Sequence, residues 1–128
     1  MSKYMIRDVQ EKDIKAIVDI YNSNYQFLFH HLGVKSVDET FMIQEISTMR
    51  KLGFRPSVIV NQQNSKIQGI LDYKLGQEVY LSLIMLAKNL QGNGTGSSLY
   101  SCFESKMIQD KRGSIRIDVV NDYQKNLV

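Results

Sequence analysis

Three glycines at alternate positions, Gly92, Gly94 and Gly96, within the run Gln91-Gly92-Asn93-Gly94-Thr95-Gly96, constrain this chain more than any other feature. Glycine reaches positive φ without a Cβ penalty and leaves the backbone surface bare. Upstream, Glu78-Val79-Tyr80-Leu81-Ser82-Leu83-Ile84-Met85-Leu86 is the most apolar stretch of the chain. It predicts a strand at the sheet centre, buried on both faces near its end. Downstream, Leu99, Phe103 and Met107 recur every four residues, which predicts a helix from near Gly96 packed on a sheet, with Gly113 as its stop. A glycine loop between strand and helix lets several N–H groups converge before a helix N-terminus. First-turn donors there have no intrahelical partner, and the macrodipole favours negative charge. Such a loop is a phosphate or pyrophosphate cradle.

Spacing narrows the kind of cradle. A P-loop needs a Lys-Ser/Thr pair after its last glycine, and no Lys follows these glycines. The dinucleotide fingerprint G-x-G-x-x-G needs glycine at position 97 or 99, where Ser97 and Leu99 stand, and it belongs after the first strand of a βαβ unit. Neither pattern fits, and the run as it stands reads Gln-x-x-Gly-x-Gly.

The rest of the chain predicts the frame around the loop. Residues 4–9 read as a strand. From Glu11, an apolar stripe of Ile14, Ile17, Val18, Tyr21 and Tyr25 predicts a helix, with Asp8, Glu11 and Asp13 near its positive end. Ser36-Val37-Asp38-Glu39 has capping-box spacing before a second helix through Met42, Ile46 and Met49. Gly53 is its stop, and Pro56 marks the exit. Residues 57–60 and 66–73 read as a hairpin, and residues 114–120 alternate as a last strand. The order is strand, helix, helix, three strands, helix, strand. It predicts an α/β fold of the mixed α+β kind, with a mixed, mostly antiparallel β-sheet flanked by helices. A single domain over residues 1–128 is expected.

The glycine run resembles the CoA-pyrophosphate motif of the GNAT superfamily of N-acetyltransferases. Ile84-Met85-Leu86-Ala87-Lys88-Asn89-Leu90 is similar to that family's apolar strand and lead-in, with Lys88 in place of a frequent proline, and the element order is similar too. The resemblance implies a GNAT-like fold and acetyl-CoA as co-substrate. It also implies transfer of the acetyl group to a primary amine of a small molecule or peptide by direct attack. Met85 and Leu86 would offer backbone groups to the pantetheine arm, while Gln91, Gly92, Asn93, Gly94, Thr95, Gly96 and Ser97 would hold the pyrophosphate. The thioester would lie in the cleft between the strand ending at Leu86 and the strand ending near Val120.

For the base, the resemblance leaves alternatives. Glu78 has the offset from Gln91 of the family's glutamate base, whereas counting from the strand end selects Tyr80. Asp72 on the neighbouring strand is a third candidate, and a plain surface carboxylate is the bland reading of Glu78. Tyr25, Phe29 and His30, with Phe27 and His31 beside them, fall where the family builds acceptor pockets; core packing with loop histidines is the alternative. Family members continue past the last strand with a helix, carrying a tyrosine acid, and a further strand. Asn121-Asp122-Tyr123-Gln124-Lys125-Asn126-Leu127-Val128 resembles the start of that helix, and Tyr123 comes earlier than the usual tyrosine. The domain is therefore expected to lack its last helix and strand. A non-catalytic CoA-binding module on the same fold is the rival function, and a nucleotide-binding enzyme of another class is the third.

Composition excludes other classes. The formal charge is +3 with basic residues scattered along the chain, which argues against nucleic acid as a partner. No apolar run approaches the roughly 20 residues that span a bilayer, and residues 1–10 lack a secretory signal. Neighbouring histidines without Cys, Asp or Glu at ligand spacing predict no metal site. With Cys102 as the lone cysteine, no intrachain disulfide forms, and a cytoplasmic location is expected. Cys102 itself reads as a small buried residue. A homodimer is left open.

Overall fold

The computed structural model describes residues 3–117. Strand β1 (Tyr4–Asp8) leads through a 3₁₀ turn into helix α1 (Ile14–Ser23), and a short helical turn α2 (Tyr25–Phe27) continues as a π-helical turn, Leu28–Leu32. Helix α3 (Glu39–Lys51), strands β2 (Phe54–Asn61), β3 (Lys66–Lys74) and β4 (Val79–Leu86), helix α4 (Thr95–Gln109) and strand β5 (Ile115–Ile117) follow. The sheet order is β1-β2-β3-β4-β5. The first three pairings are antiparallel and β4–β5 is parallel, as the element order predicted for a mixed, mostly antiparallel sheet.

Period-two alternation sends β2 and β3 side chains to opposite faces, and each face has its own core. On one, Val58, Val60, Ile70 and Met85 meet Ile14, Ile17, Ile20 and Tyr21 of α1 and Met42 and Ile46 of α3. On the other, Ile59, Leu71, Tyr73 and Leu81 meet Leu99, Phe103 and Met107, the α4 stripe read from the four-residue period. Gly69 lets α4 sit close: a Cβ there would stand 3.0 Å from Leu99 Cδ1 and 3.1 Å from the Met85 carbonyl.

Three local expectations are corrected. The N-cap of α3 is Asp38, whose Oδ1 accepts the Phe41 N–H at 2.8 Å, so the box does not open at Ser36. Val37 is pinned back to α1 by both ends of the Asn22 amide, which leaves Ser36 upstream of the helix start. Pro56 lies inside β2 and does not mark an exit. Its carbonyl accepts the Val9 N–H as the chain leaves β1, so the missing donor falls where β1 has ended. Helix α4 stops at Gln109, before Gly113, because Lys111 takes the left-handed conformation at φ 60°. Its N–H reaches Ile108 O and that of Arg112 reaches Met107 O, the paired bonds of a Schellman end. Gly53, at φ 91°, does end α3 as expected.

Candidate functional site

The glycine loop leaves β4 at Leu86, turns through a 3₁₀ segment, Lys88–Leu90, and enters α4 at Thr95. Gly92 and Gly94 have φ of 87° and 85°, and a Cβ on either would meet nothing within 4 Å, so the space beside both is open. Gly96 is already helical, with its would-be Cβ in ordinary contact with Leu86 at 3.6 Å. Among the described residues, the N–H groups of Gly92, Asn93, Gly94, Gly96 and Ser97 donate to no protein acceptor. Five bare donors at the N-terminus of a 15-residue helix make a surface whose electrostatics suit an anion. Asn93 Oδ1 holds the remaining first-turn groups, accepting the Thr95 N–H at 3.2 Å and its hydroxyl at 2.5 Å.

The start of the loop is tied to the end of α1. Asn24 Nδ2 and Gln91 Nε2 both donate to the Leu86 carbonyl, at 2.8 and 3.1 Å, and Gln91 Nε2 also reaches Asn24 Oδ1 at 2.7 Å. Ser23 Oγ accepts the Lys88 N–H at 3.0 Å. Sequence reading missed Asn24 and Ser23, which lie more than sixty positions from their partners. An Asn just past a helix end carries no signal of such a contact. The backbone candidates on β4 divide. The Met85 carbonyl faces Gly69 of β3, whereas Leu86 turns its carbonyl to Asn24 and Gln91. Alternate residues of a strand present their backbone groups to opposite neighbours.

Beside α1, Tyr25, Phe29 and His30 come together around an open depression of about 270 Å³, with Gln26, Val34 and Lys35 completing its wall. Phe29 and Tyr25 are 67% and 61% exposed, so they are not core residues. The T-shaped Phe29–His30 pair, with centroids 5.3 Å apart, and the left-handed Gly33 that closes the π-helical turn give this wall its shape.

At the far end of β4, Glu78 accepts from Ser114 Oγ at 3.2 Å and lies 3.7 Å from Arg116 Nε. The Arg116 guanidinium stacks over the Tyr80 ring at 4.6 Å, and Phe54 borders the same ring at 5.8 Å. Glu78, just before β4, and Tyr80 on it therefore belong to one cluster at the β4–β5 pairing. Asp72 stands apart on β3, beside Leu83 of β4 and facing α1 and α3. Burial there, with Glu45 adding to it, pushes its carboxyl up to about 7. The expected cleft wall near Val120 and the tyrosine Tyr123 lie outside the described residues.

No protein-family model and no curated protein matches the chain. Solved structures do. The chain superposes on spermidine N-acetyltransferase from Vibrio cholerae, solved with CoA and spermine, at a TM-score of 0.70 and 14% identity, covering 96% of this chain and 75% of that one. PaiA N-acetyltransferase from Thermoplasma acidophilum, solved with coenzyme A, gives 0.63 at 15% identity over 95% and 82%. A GNAT family acetyltransferase from Staphylococcus aureus gives 0.68 at 11% identity over 97% and 90%. The fold is the GNAT acetyltransferase fold. Identities this low establish the GNAT architecture and leave its chemistry to the residues just described. Among those residues no group of three or more His, Cys, Asp or Glu could hold a metal ion, and no helix is long and apolar enough to cross a membrane.

Proposed function

We propose that this chain is an acetyl-CoA-dependent N-acetyltransferase acting on a primary amine of a small molecule or peptide. The observation that carries the reading is the set of five uncommitted N–H donors around Gly92 and Gly94, opening onto clear space at the head of α4 on a GNAT fold. When bound, acetyl-CoA supplies an activated thioester. The protein's part is mainly positioning and charge stabilisation, which require no nucleophile of its own. In this reading the loop from Gln91 to Ser97 takes the pyrophosphate, with Asn93 releasing Thr95 to join it. The Leu86 backbone meets the pantetheine arm, and Asn24 and Gln91 set the direction of its carbonyl. Tyr25, Phe29 and His30 border the acceptor, and the solved neighbour holding spermine supports a small amine in that role.

Saturating acetyl-CoA is expected to raise the melting temperature, and Gly96→Glu to abolish that shift. Gly96 has helical φ and room for a side chain, and an acid in a first turn favours the helix. The variant therefore keeps its fold while repelling the pyrophosphate. No shift in the wild-type protein would sink the binding claim.

A second reading is a CoA-binding module without turnover. It is favoured by the engagement of Glu78 and Tyr80 with Ser114 and Arg116. Release of CoA thiol across a panel of amines separates the two. In a working enzyme, Glu78→Gln or Tyr80→Phe is expected to lower kcat/KM by roughly 10²-fold or more, according to which serves as the base. Thermal stabilisation without thiol release from any amine supports the module.

A further inference from the structure

The open depression beside α1 has a charge pattern of its own. The rings of Tyr25 and Phe29 and the side chain of Val34 make most of its wall apolar, and its volume of about 270 Å³ lies at the small end of ligand sites. The ionisable side chains lining it are Tyr25, His30 and Lys35; no carboxylate lines it. Among the described residues, Lys35 makes no ion pair and no hydrogen bond. Its backbone, by contrast, is pinned on both sides. Left-handed Gly33 turns the chain, and the Val34 N–H then donates to the Leu28 carbonyl at 3.3 Å. Two residues past Lys35, the Asn22 amide takes both the carbonyl and the N–H of Val37, at 3.0 and 2.8 Å. The fold therefore sets an uncommitted cation at the rim of an aromatic depression, and the charge that complements it is an anion.

The wall also starts beside the end of β4. Asn24, the residue before Tyr25, donates to the Leu86 carbonyl at 2.8 Å. We infer that Lys35 is a specificity residue for a carboxylate on the acceptor, and that the acceptor is an amine carrying an aromatic ring as well, the makeup of an aromatic amino acid. The ring lies against Tyr25 and Phe29, and the carboxylate meets the Lys35 ammonium. The reacting amine must be neutral. In a free amino acid the carboxylate favours the ammonium form; pairing it with Lys35 offsets that, and the nearby positive charge disfavours a second one. The neutral amine then attacks the thioester carbonyl, the N–C bond forms as the C–S bond breaks, and the proton shed by nitrogen ends on the CoA thiol. A diamine brings a second ammonium where the carboxylate would be and meets Lys35 as a like charge. The acceptor role rests on the acetyltransferase reading; the binding itself does not.

The test compares L-phenylalanine with phenethylamine, which has the same ring and amine but no carboxylate, as acceptors for the full chain with acetyl-CoA. Phenylalanine is expected to have the higher kcat/KM by about fivefold, through KM, and added salt should narrow the gap. Lys35→Met should bring the two within about twofold of each other. Lys35→Glu should put phenethylamine ahead and raise kcat/KM for 1,4-diaminobutane. Lys35 is exposed, so neither variant disturbs the core. A preference that survives in Lys35→Met, phenethylamine ahead in the wild-type chain, or acetylation of the diamine alone overturns the assignment. Binding of N-acetyl-L-phenylalanine, followed by calorimetry, keeps this separate from the acetyltransferase reading. The wild-type chain should bind it, and Lys35→Glu should weaken binding about fivefold or more. Such Lys35-dependent binding with no thiol release from any amine upholds the subsite and removes the acetyltransferase reading. No binding and no thiol release overturns the subsite.

Discussion

Lys111 holds φ at 60°, where only glycine is free of a Cβ penalty, because the Schellman bonds at the end of α4 need that conformation. Lys111→Gly is therefore expected to stabilise the protein by about 0.5–1 kcal/mol, as read by urea denaturation. A loss would mean that the lysine side chain makes a compensating contact. Gly113 is the residue a sequence reader picks as the stop, and the chain reverses two positions earlier. Local bonding at Lys111 decided it, and glycine spacing does not encode that. Residue-scale reading did better at Gly92 and Gly94: both require positive φ, as alternate glycines in a strand-to-helix loop suggested. The aromatic wall lies between these cases. Proximity in sequence brought Tyr25, Phe29 and His30 together on one turn and a half of helix, while their exposure depended on the π-helical turn that sequence did not signal.

Elements were legible wherever their apolar period was clean. The α4 stripe Leu99, Phe103 and Met107 is fully buried, and β2, β3 and β4 cover the residues their apolar runs predicted, though β3 takes the centre of the described sheet that the run of β4 had suggested for itself. The contact between α4 and the sheet was less visible, because it hinges on the absence of a side chain at Gly69. Gly69→Ala sets a methyl 3.0 Å from Leu99 and 3.1 Å from the Met85 carbonyl, of which only the leucine end can move. It is expected to cost about 1–3 kcal/mol in thermal unfolding. Gly69→Ala combined with Leu99→Ala should cost less than the sum of the two single changes, since the methyl then occupies the space Leu99 vacates. Strict additivity would refute the close packing.

At the scale of the molecule, two carboxylates pull stability in opposite directions with pH. Burial alone would raise the Asp13 carboxyl, but paired hydrogen bonds from Arg7 at 2.7 and 2.9 Å and the Gln10 N–H hold it below its ordinary value. Its contribution is present above the ordinary carboxylate range and is lost as acid protonates the folded form. Asp72 is raised to about 7 from 3.8, so between those values the folded chain binds its proton more tightly than the unfolded chain does. Stability from this group therefore falls as pH rises through that window and stays low above it. The melting temperature is expected to peak on the acid side of neutrality. Asp72→Asn should flatten the alkaline arm and add about 1–3 kcal/mol at pH 8. An unchanged alkaline arm in that variant would show that Asp72 is not the group responsible.

The sequence alone determined what depends on near neighbours: the period of each strand and helix, the bare backbone of the glycine loop, and the spacing that separates it from the P-loop and the dinucleotide fingerprint. A mixed sheet flanked by helices followed from those, since element order and right-handed connection leave few arrangements open, and the GNAT expectation rested on the resemblance of the glycine run. Only the tertiary structure decided which distant side chains meet. Asn24 and Gln91 converge on the Leu86 carbonyl, and burial together with Glu45 raises the Asp72 carboxyl. A hydrogen bond or a buried charge acts over a few ångströms of space, whatever the separation along the chain. The bare backbone of the loop was therefore written locally, and its anchoring to the end of α1 came from packing.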